Sequence, residues 1–169
     1  MRSFALLAIL LLPNIGWAQK SEVVFQPKGG HFAIRLPGKP KENTQSLKTD
    51  LGTLKVYTAT YALPDGNVYL VSFTEFPAEA VKPALRGTLY DGVVKGIKGK
   101  DGMVVGTEKE IEIGNEKGRE VVVDKGKQQT RFRVVVKDDR LFQIALVGTG
   151  EFATGKEATA FLDSFEFKP

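Results

Sequence analysis

Three runs decide the fold: Arg119-Glu120-Val121-Val122-Val123, then Gln129-Thr130-Arg131-Phe132-Arg133-Val134-Val135-Val136-Lys137, then Leu141-Phe142-Gln143-Ile144-Ala145-Leu146-Val147. Each is dense in β-branched and aromatic residues, and in the second Arg131 and Arg133 alternate with Phe132 and Val134, the period of a half-buried strand. The links are short and carry turn residues, Lys125-Gly126 in the first and Asp138-Asp139 in the second. Connections of that length leave no room for a crossover helix, so the neighbours are antiparallel. The last run is apolar on both parities, which means both of its faces are covered and it is a central strand. With Lys125-Gly126 as a two-residue loop, Glu120 falls opposite Arg131 and Asp124 opposite Lys127, two opposite-charge pairs that favour this register.

Working outward, residues 103–113 form another β-type run, joined to the first by Gly114-Asn115-Glu116-Lys117-Gly118. Near the start, Phe32, Ile34 and Leu36 alternate with small or polar residues and stop at Pro37-Gly38, which predicts a half-buried strand. Residues 43–49 form a second, weakly apolar strand before the turn Asp50-Leu51-Gly52. Runs 53–63 and 67–76, rich in Val, Tyr, Phe and Thr, flank Pro64-Asp65-Gly66 and read as a hairpin. From Pro77 the period changes. Val81, Leu85, Leu89, Val93 and Ile97 recur every four residues, which predicts one long helix with Pro83 in its first turn and Gly99 at its C-terminal end. Gly92 and Gly96 lie on or beside this stripe, so its backbone is expected to approach a sheet closely. At the end, Thr154-Gly155-Lys156-Glu157 reads as a capping box ahead of Ala158, Phe161, Leu162 and Phe165, a second amphipathic helix. The architecture that follows is α+β, an antiparallel sheet of about six or seven strands with helices packed on its two faces.

The opening pattern Phe25-x-Pro27-x-Gly29-Gly30-x-Phe32-x-Ile34-x-Leu36-Pro37-Gly38-x-Pro40 and the closing Phe161-Leu162-Asp163-Ser164-Phe165-x-Phe167 resemble the PsbP-like fold. That α/β/α sandwich is shared by the extrinsic PsbP subunit of photosystem II, a Ran-binding nuclear import factor and exported bacterial proteins of unknown role. The resemblance implies that the Leu-Pro-Gly-x-Pro turn ends a first strand and that the final helix closes the sheet. It implies a fold and no function: no acidic or metal-binding motif of the photosystem subunit maps onto this sequence, and the Ran-binding surface has no counterpart in it.

The chain has 169 residues, no Cys and one His, His31. Disulfides, thiol nucleophiles and Cys/His zinc sites are thereby excluded. The N-terminus reads as an address: Arg2 precedes the apolar run Phe4 to Leu12, followed by Pro13 and the small residues Gly16 and Ala18. This is the pattern of a secretory signal peptide over residues 1–18. Cleavage after Ala18 would leave one domain, residues 19–169, in the periplasm or the medium. The formal net charge of +4 is spread along the chain and carries no nucleic-acid signature.

Candidate chemistry is sparse. His31 lies beside Gly29-Gly30, and no Ser stands in a G-x-S-x-G elbow. Glu108, Glu110 and Glu112 alternate on one strand face and read as solvated. The Lys95 to Gly102 stretch has the composition of a phosphate cradle without its spacing, at a helix end that favours cations. Lys127, Arg131, Arg133 and Lys137 share one strand face, a candidate basic surface for a partner at the cell envelope, with Tyr57, Tyr61 and Tyr69 as adjacent aromatics if the fold brings them near. No metal, organic cofactor, nucleic-acid partner or catalytic activity is expected. The first expectation is therefore an exported, non-catalytic binding or accessory module. The alternative is a carrier that holds an apolar or amphipathic small ligand between sheet and helix. A hydrolase working through Asp91 or Asp163 with a Glu is the enzymatic rival.

Overall fold

Alternation along the central strands sends two sets of side chains to opposite sides of one sheet, and a separate core forms on each side. A computed structural model describes residues 22–105 and 108–169. Its main sheet is antiparallel and eight-stranded. The order is β3 (Lys41–Thr49), β4 (Gly52–Ala62), β5 (Val68–Glu75), β10 (Arg140–Gly148), β9 (Gln129–Lys137), β8 (Glu116–Asp124) and β6 (Met103–Val104), with β7 (Lys109–Ile113) also paired to β8. The doubly apolar run, β10, is central as expected. A second sheet of three strands sets β2 (Phe32–Leu36) between β1 (Val23–Phe25) and β11 (Glu166–Phe167). The strand run at 32–36 thus belongs to a separate layer, and the expected single sheet of six or seven strands becomes eight plus three.

On one side of the main sheet Phe142, Ile144 and Leu146 of β10 pack against Phe32, Ile34 and Leu36 of β2 and against Phe161 and Leu162 of α3 (Lys156–Asp163). Phe32 is fully buried there, stacked on Phe165 at 5.3 Å and edge-on to Phe142 at 5.9 Å. Burying each such ring contributes about 2–3 kcal/mol, with roughly 1 kcal/mol more from each ring pair. On the other side Leu141, Phe132, Val134, Val121 and Val123 pack beneath Tyr90 and Val94 of α1 (Arg86–Lys98). The two long helices therefore lie on opposite faces, as the sequence suggested.

Local differences have identifiable causes. The stretch after Pro77 opens with two short 3-10 turns, Ala78–Val81 and Pro83–Leu85, and the α-helix starts at Arg86. A stripe spaced every four residues drifts by about 40° per step on a helix of 3.6 residues per turn, so it winds off the contact line. Leu89, Val93 and Ile97 are only half-buried, Leu85 is 46% exposed, and Tyr90 and Val94 carry the contact. The Tyr90 hydroxyl donates to the Lys117 carbonyl at 2.9 Å and accepts from the Val136 N–H at 3.0 Å, pinning α1 to the sheet. The close approach expected at Gly92 and Gly96 does not occur: a Cβ at either would meet nothing within 4 Å. The capping box is also overturned. Thr154 ends a short preceding helix, α2 (Gly150–Thr154), its hydroxyl donates back to the Gly150 carbonyl at 2.6 Å, and Gly155 occupies the cap of α3.

The link between β8 and β9 holds residues 125–128, two more than expected, and this shifts the register. Glu120 lies opposite Arg133, Val122 opposite Arg131 and Asp124 opposite Gln129. Asp124 closes the turn by accepting from Gln129 Nε2 at 3.0 Å and from the Gly126 N–H at 2.6 Å, and these bonds hold its carboxyl below the usual carboxylate range. The expected leader, residues 1–18, lies outside the described residues. Among the described residues no helix is long and apolar enough to cross a membrane.

Candidate functional site

The main sheet is wider than its helical cover. At 13 residues α1 is about 20 Å long and lies over β8 and β9, so among the described residues no helix covers the same face of β3, β4 and β5. An apolar groove of about 620 Å³ remains between the helix and this bare part of the sheet. Its floor is Leu54 and Val56 of β4, Thr74 of β5 and Leu141 and Gln143 of β10; one wall is Leu85, Leu89 and Val93, the other Leu47 with Leu51 at the hairpin tip. Gly92 also lines it, so the missing side chain on α1 leaves the groove wider. Among the described residues no charged side chain lines the groove, and its polar lining is limited to Gln45, Thr49, Thr74, Thr88, Gln143 and backbone.

Volume and lining both fall in the range of small-molecule sites, which are concave, mainly apolar and provided with a few polar groups that set orientation. Exposure points the same way. Leu47 and Leu51 are each 52% exposed and Leu85 46%, all three at the groove mouth, and clustered exposed leucines mark a binding surface more than scattered ones do. The sequence carried one signal for it: Leu47 is the lone apolar residue of the strand Lys41–Thr49, with Leu51 in the turn that follows.

The basic face sits elsewhere and is not a free surface. Arg131 and Arg133 point from β9 toward α3, under the second layer. Both guanidinium groups bind Glu120 of β8, Arg131 at 2.8 Å and Arg133 at 2.7 Å. Arg133 also pairs with Asp163 at 2.7 Å, and Arg131 donates to Thr159 Oγ1 at 2.9 Å. The side chains of Arg131, Arg133 and Glu120 are only 12%, 13% and 7% exposed. Burial pushes the Glu120 carboxyl up, but hydrogen bonds and charge from the two arginines outweigh it and hold the group below its ordinary range. Of the other two members, Lys137 lies over the Phe167 ring at 4.6 Å, and only Lys127, in the β8–β9 turn, is exposed. The four cations therefore do not make one docking surface. The sequence pairs Arg131 with Glu120 across the strands but gives no sign of Asp163 and Thr159, which α3 brings over this face.

No protein-family model matches the sequence. Nor does any curated protein resemble it. Among solved structures, cyanobacterial PsbP from Synechocystis sp. PCC 6803 superposes with a TM-score of 0.58, at 11% identity, over 90% of this chain and 95% of that one. The fold is PsbP-like. A Pseudomonas aeruginosa protein of unknown function aligns at a TM-score of 0.41 and 8% identity over 82% of this chain and 90% of that one. The PsbP-like motifs of the sequence have structural reasons here. Gly38 in the turn after β2 sits against Tyr61, whose ring would be 2.5 Å from an added Cβ, and Gly30 lies equally close to Pro27. At the other end of the PsbP-like domain Ser164 Oγ accepts from the Arg35 N–H at 3.1 Å and donates to the Phe161 carbonyl at 2.6 Å, tying the C-terminal helix to β2.

The remaining sequence candidates are dispersed over this PsbP-like frame. Glu108, Glu110 and Glu112 are exposed, and Glu108 pairs with Arg119 at 3.1 Å. Arg119 also binds Asp91, while Asp163 is engaged with Arg133 on the opposite side of the sheet. His31 lies outside the groove, in a left-handed backbone conformation (φ 54°), with its carbonyl accepting from the Lys168 N–H. Tyr57, Tyr61 and Tyr69 pack into the core beneath the second layer, Tyr57 against Phe73 at 4.9 Å and Tyr69 against Phe161 at 4.9 Å. A smaller depression of about 210 Å³ beside Tyr69 and Phe161 is rimmed by Glu22, Arg35 and Glu157, and it lacks the room and the apolar lining of the groove.

Proposed function

We propose that this protein is an exported, non-catalytic module that binds a small apolar or amphipathic molecule in the groove between α1 and the bare half of the sheet. One observation carries the reading: an open site of about 620 Å³ lined without a single charged side chain. An apolar body in that groove displaces water from leucine and valine surface, at about 25 cal/mol per Å² of area covered. With no cation or carboxylate in the lining, a charged head group stays at the mouth, in water. Export rests on the N-terminal pattern of Arg2, the apolar run and Ala18. The rival reading, a basic face for an envelope protein, loses support because Arg131 and Arg133 are neutralised within the fold.

The test is titration with a fluorescent single-chain fatty acid, alongside native mass spectrometry of the purified protein for a co-purifying lipid. Leu47→Asp and Leu85→Asp, both at exposed positions that the fold tolerates, are expected to weaken uptake about tenfold each, the equivalent of losing one buried leucine contact. Absence of uptake by the wild-type protein, or uptake indifferent to both substitutions, would refute the groove as the site.

A further inference from the structure

We infer that β3 is a self-pairing edge, through which two copies of this chain join their main sheets into one continuous sheet around a two-fold axis at Gln45. β3 ends the strand order of the main sheet, is nine residues long, contains no proline and keeps an unbroken register with β4 from Lys41↔Thr60 to Thr49↔Gly52. All nine residues are exposed. A long edge presents a row of unpaired backbone groups, which proteins usually blunt with short strands, bulges or charged side chains. The other end of the sheet is blunted in that way, by the short strands β6 and β7. β3 is not.

The geometry fixes which groups the edge offers. The Leu63 N–H donates to the Asn67 carbonyl, continuing the β4–β5 ladder, so the odd residues of β4 turn their backbone groups toward β5. Even residues of β4 then bond to β3, and through the register these are the odd residues of β3. The outward N–H and C=O groups therefore belong to Glu42, Thr44, Ser46 and Lys48. An antiparallel pair of β3 strands centred on Gln45 places Glu42 opposite Lys48 of the second copy and Thr44 opposite Ser46, each twice. All four are narrow, doubly hydrogen-bonded pairs, giving about eight backbone hydrogen bonds.

Charge selects this register. Each Lys48 meets a Glu42 across the interface, whereas a slip of two residues in one direction sets Glu42 against Asp50 and in the other leaves both charges without a partner. Glu42 is already oriented: one carboxylate oxygen accepts from the Tyr57 hydroxyl at 2.6 Å, leaving the other to a lysine. The two-fold axis stands perpendicular to the sheet, so both grooves open on the same side. Leu47 of each copy then borders Asn43 of the other, and the two apolar floors become neighbours. The pairing needs no ligand, so its fate is independent of the groove reading.

The experiment is sedimentation velocity on the purified protein at about 0.1 mM, where a pair of modest affinity assembles. Twice the chain mass is expected. Ser46→Pro removes one outward N–H per copy at an edge position that bonds to nothing within the chain, and is expected to give the monomer with an unchanged circular dichroism spectrum and melting temperature. Lys48→Glu, which puts two carboxylates opposite each other, is expected to weaken the dimer about tenfold, and adding Glu42→Lys to it restores the dimer. A monomer at this concentration overturns the proposal, as does a dimer indifferent to Ser46→Pro. A dimer sensitive to Ser46→Pro whose charge-reversed form is not rescued overturns the register.

Discussion

Replacing Glu120 by Gln probes the one buried ionic cluster of the protein among its described residues. Glu120 accepts from Arg131 at 2.8 Å and from Arg133 at 2.7 Å, with all three side chains less than 15% exposed. Gln keeps the shape but removes the charge, and its amide donor would face a guanidinium that also only donates. Breaking a buried pair in this way costs about 3–5 kcal/mol, since charge is left behind without compensation. The lower end applies here, because Arg133 retains Asp163 and Arg131 retains Thr159. A loss of about 3 kcal/mol corresponds to a melting temperature lower by roughly 6–12 °C for a domain of this size. The assay is urea unfolding followed by circular dichroism, with the midpoint falling at constant slope. Acid provides an internal check. The folded carboxyl lies below its unfolded value of about 4.3, so its contribution is complete above that pH and disappears as pH falls through the folded value. The difference between Glu120→Gln and wild type is therefore largest above about pH 5 and closes under more acidic conditions. A loss below about 1 kcal/mol, the worth of an exposed pair, would refute the account of Arg131 and Arg133 as buried structural groups.

Two further substitutions test the mounting of α1. Gly96→Ala fills open space on a helix, so it is expected to stabilise the protein by about 0.5–1 kcal/mol in the same urea assay; destabilisation would mean that the helix backbone does approach a neighbour there. Tyr90→Phe strands the Val136 N–H and the Lys117 carbonyl in the core and is expected to cost about 2 kcal/mol, read as a lower melting temperature; an unchanged melting temperature would show that the hydroxyl does not bridge the strands.

Much of the fold was legible in local pattern. The two-sided apolar run at Leu141 to Val147 identified the central strand, Pro64-Asp65-Gly66 identified the hairpin, and Phe161 and Leu162 identified the closing helix. These are short-range signals, because a strand or a helix face repeats within a few residues whatever surrounds it. Features set by one or two residues of loop or cap were not legible in this way. Two extra residues between β8 and β9 moved every cross-strand partner, and Thr154 served the helix before it instead of the one after.

What the sequence by itself determined is the antiparallel α+β class, the long central strands and the two amphipathic helices, the lack of any thiol and the two faces of β10; the short strands β1 and β11, the short helix α2 and the division of residues 103–113 into β6 and β7 were not legible in it. Only the tertiary structure decided that the strand at Phe32 forms a second layer, that Arg131 and Arg133 lie beneath α3 against Glu120 and Asp163, and that α1 leaves part of the sheet bare. The physical reason is the same in each case. Periodicity records which side of an element is apolar, whereas a neutralised arginine, an uncovered sheet and an open edge depend on which distant element arrives to cover them, and that is settled only when the layers pack.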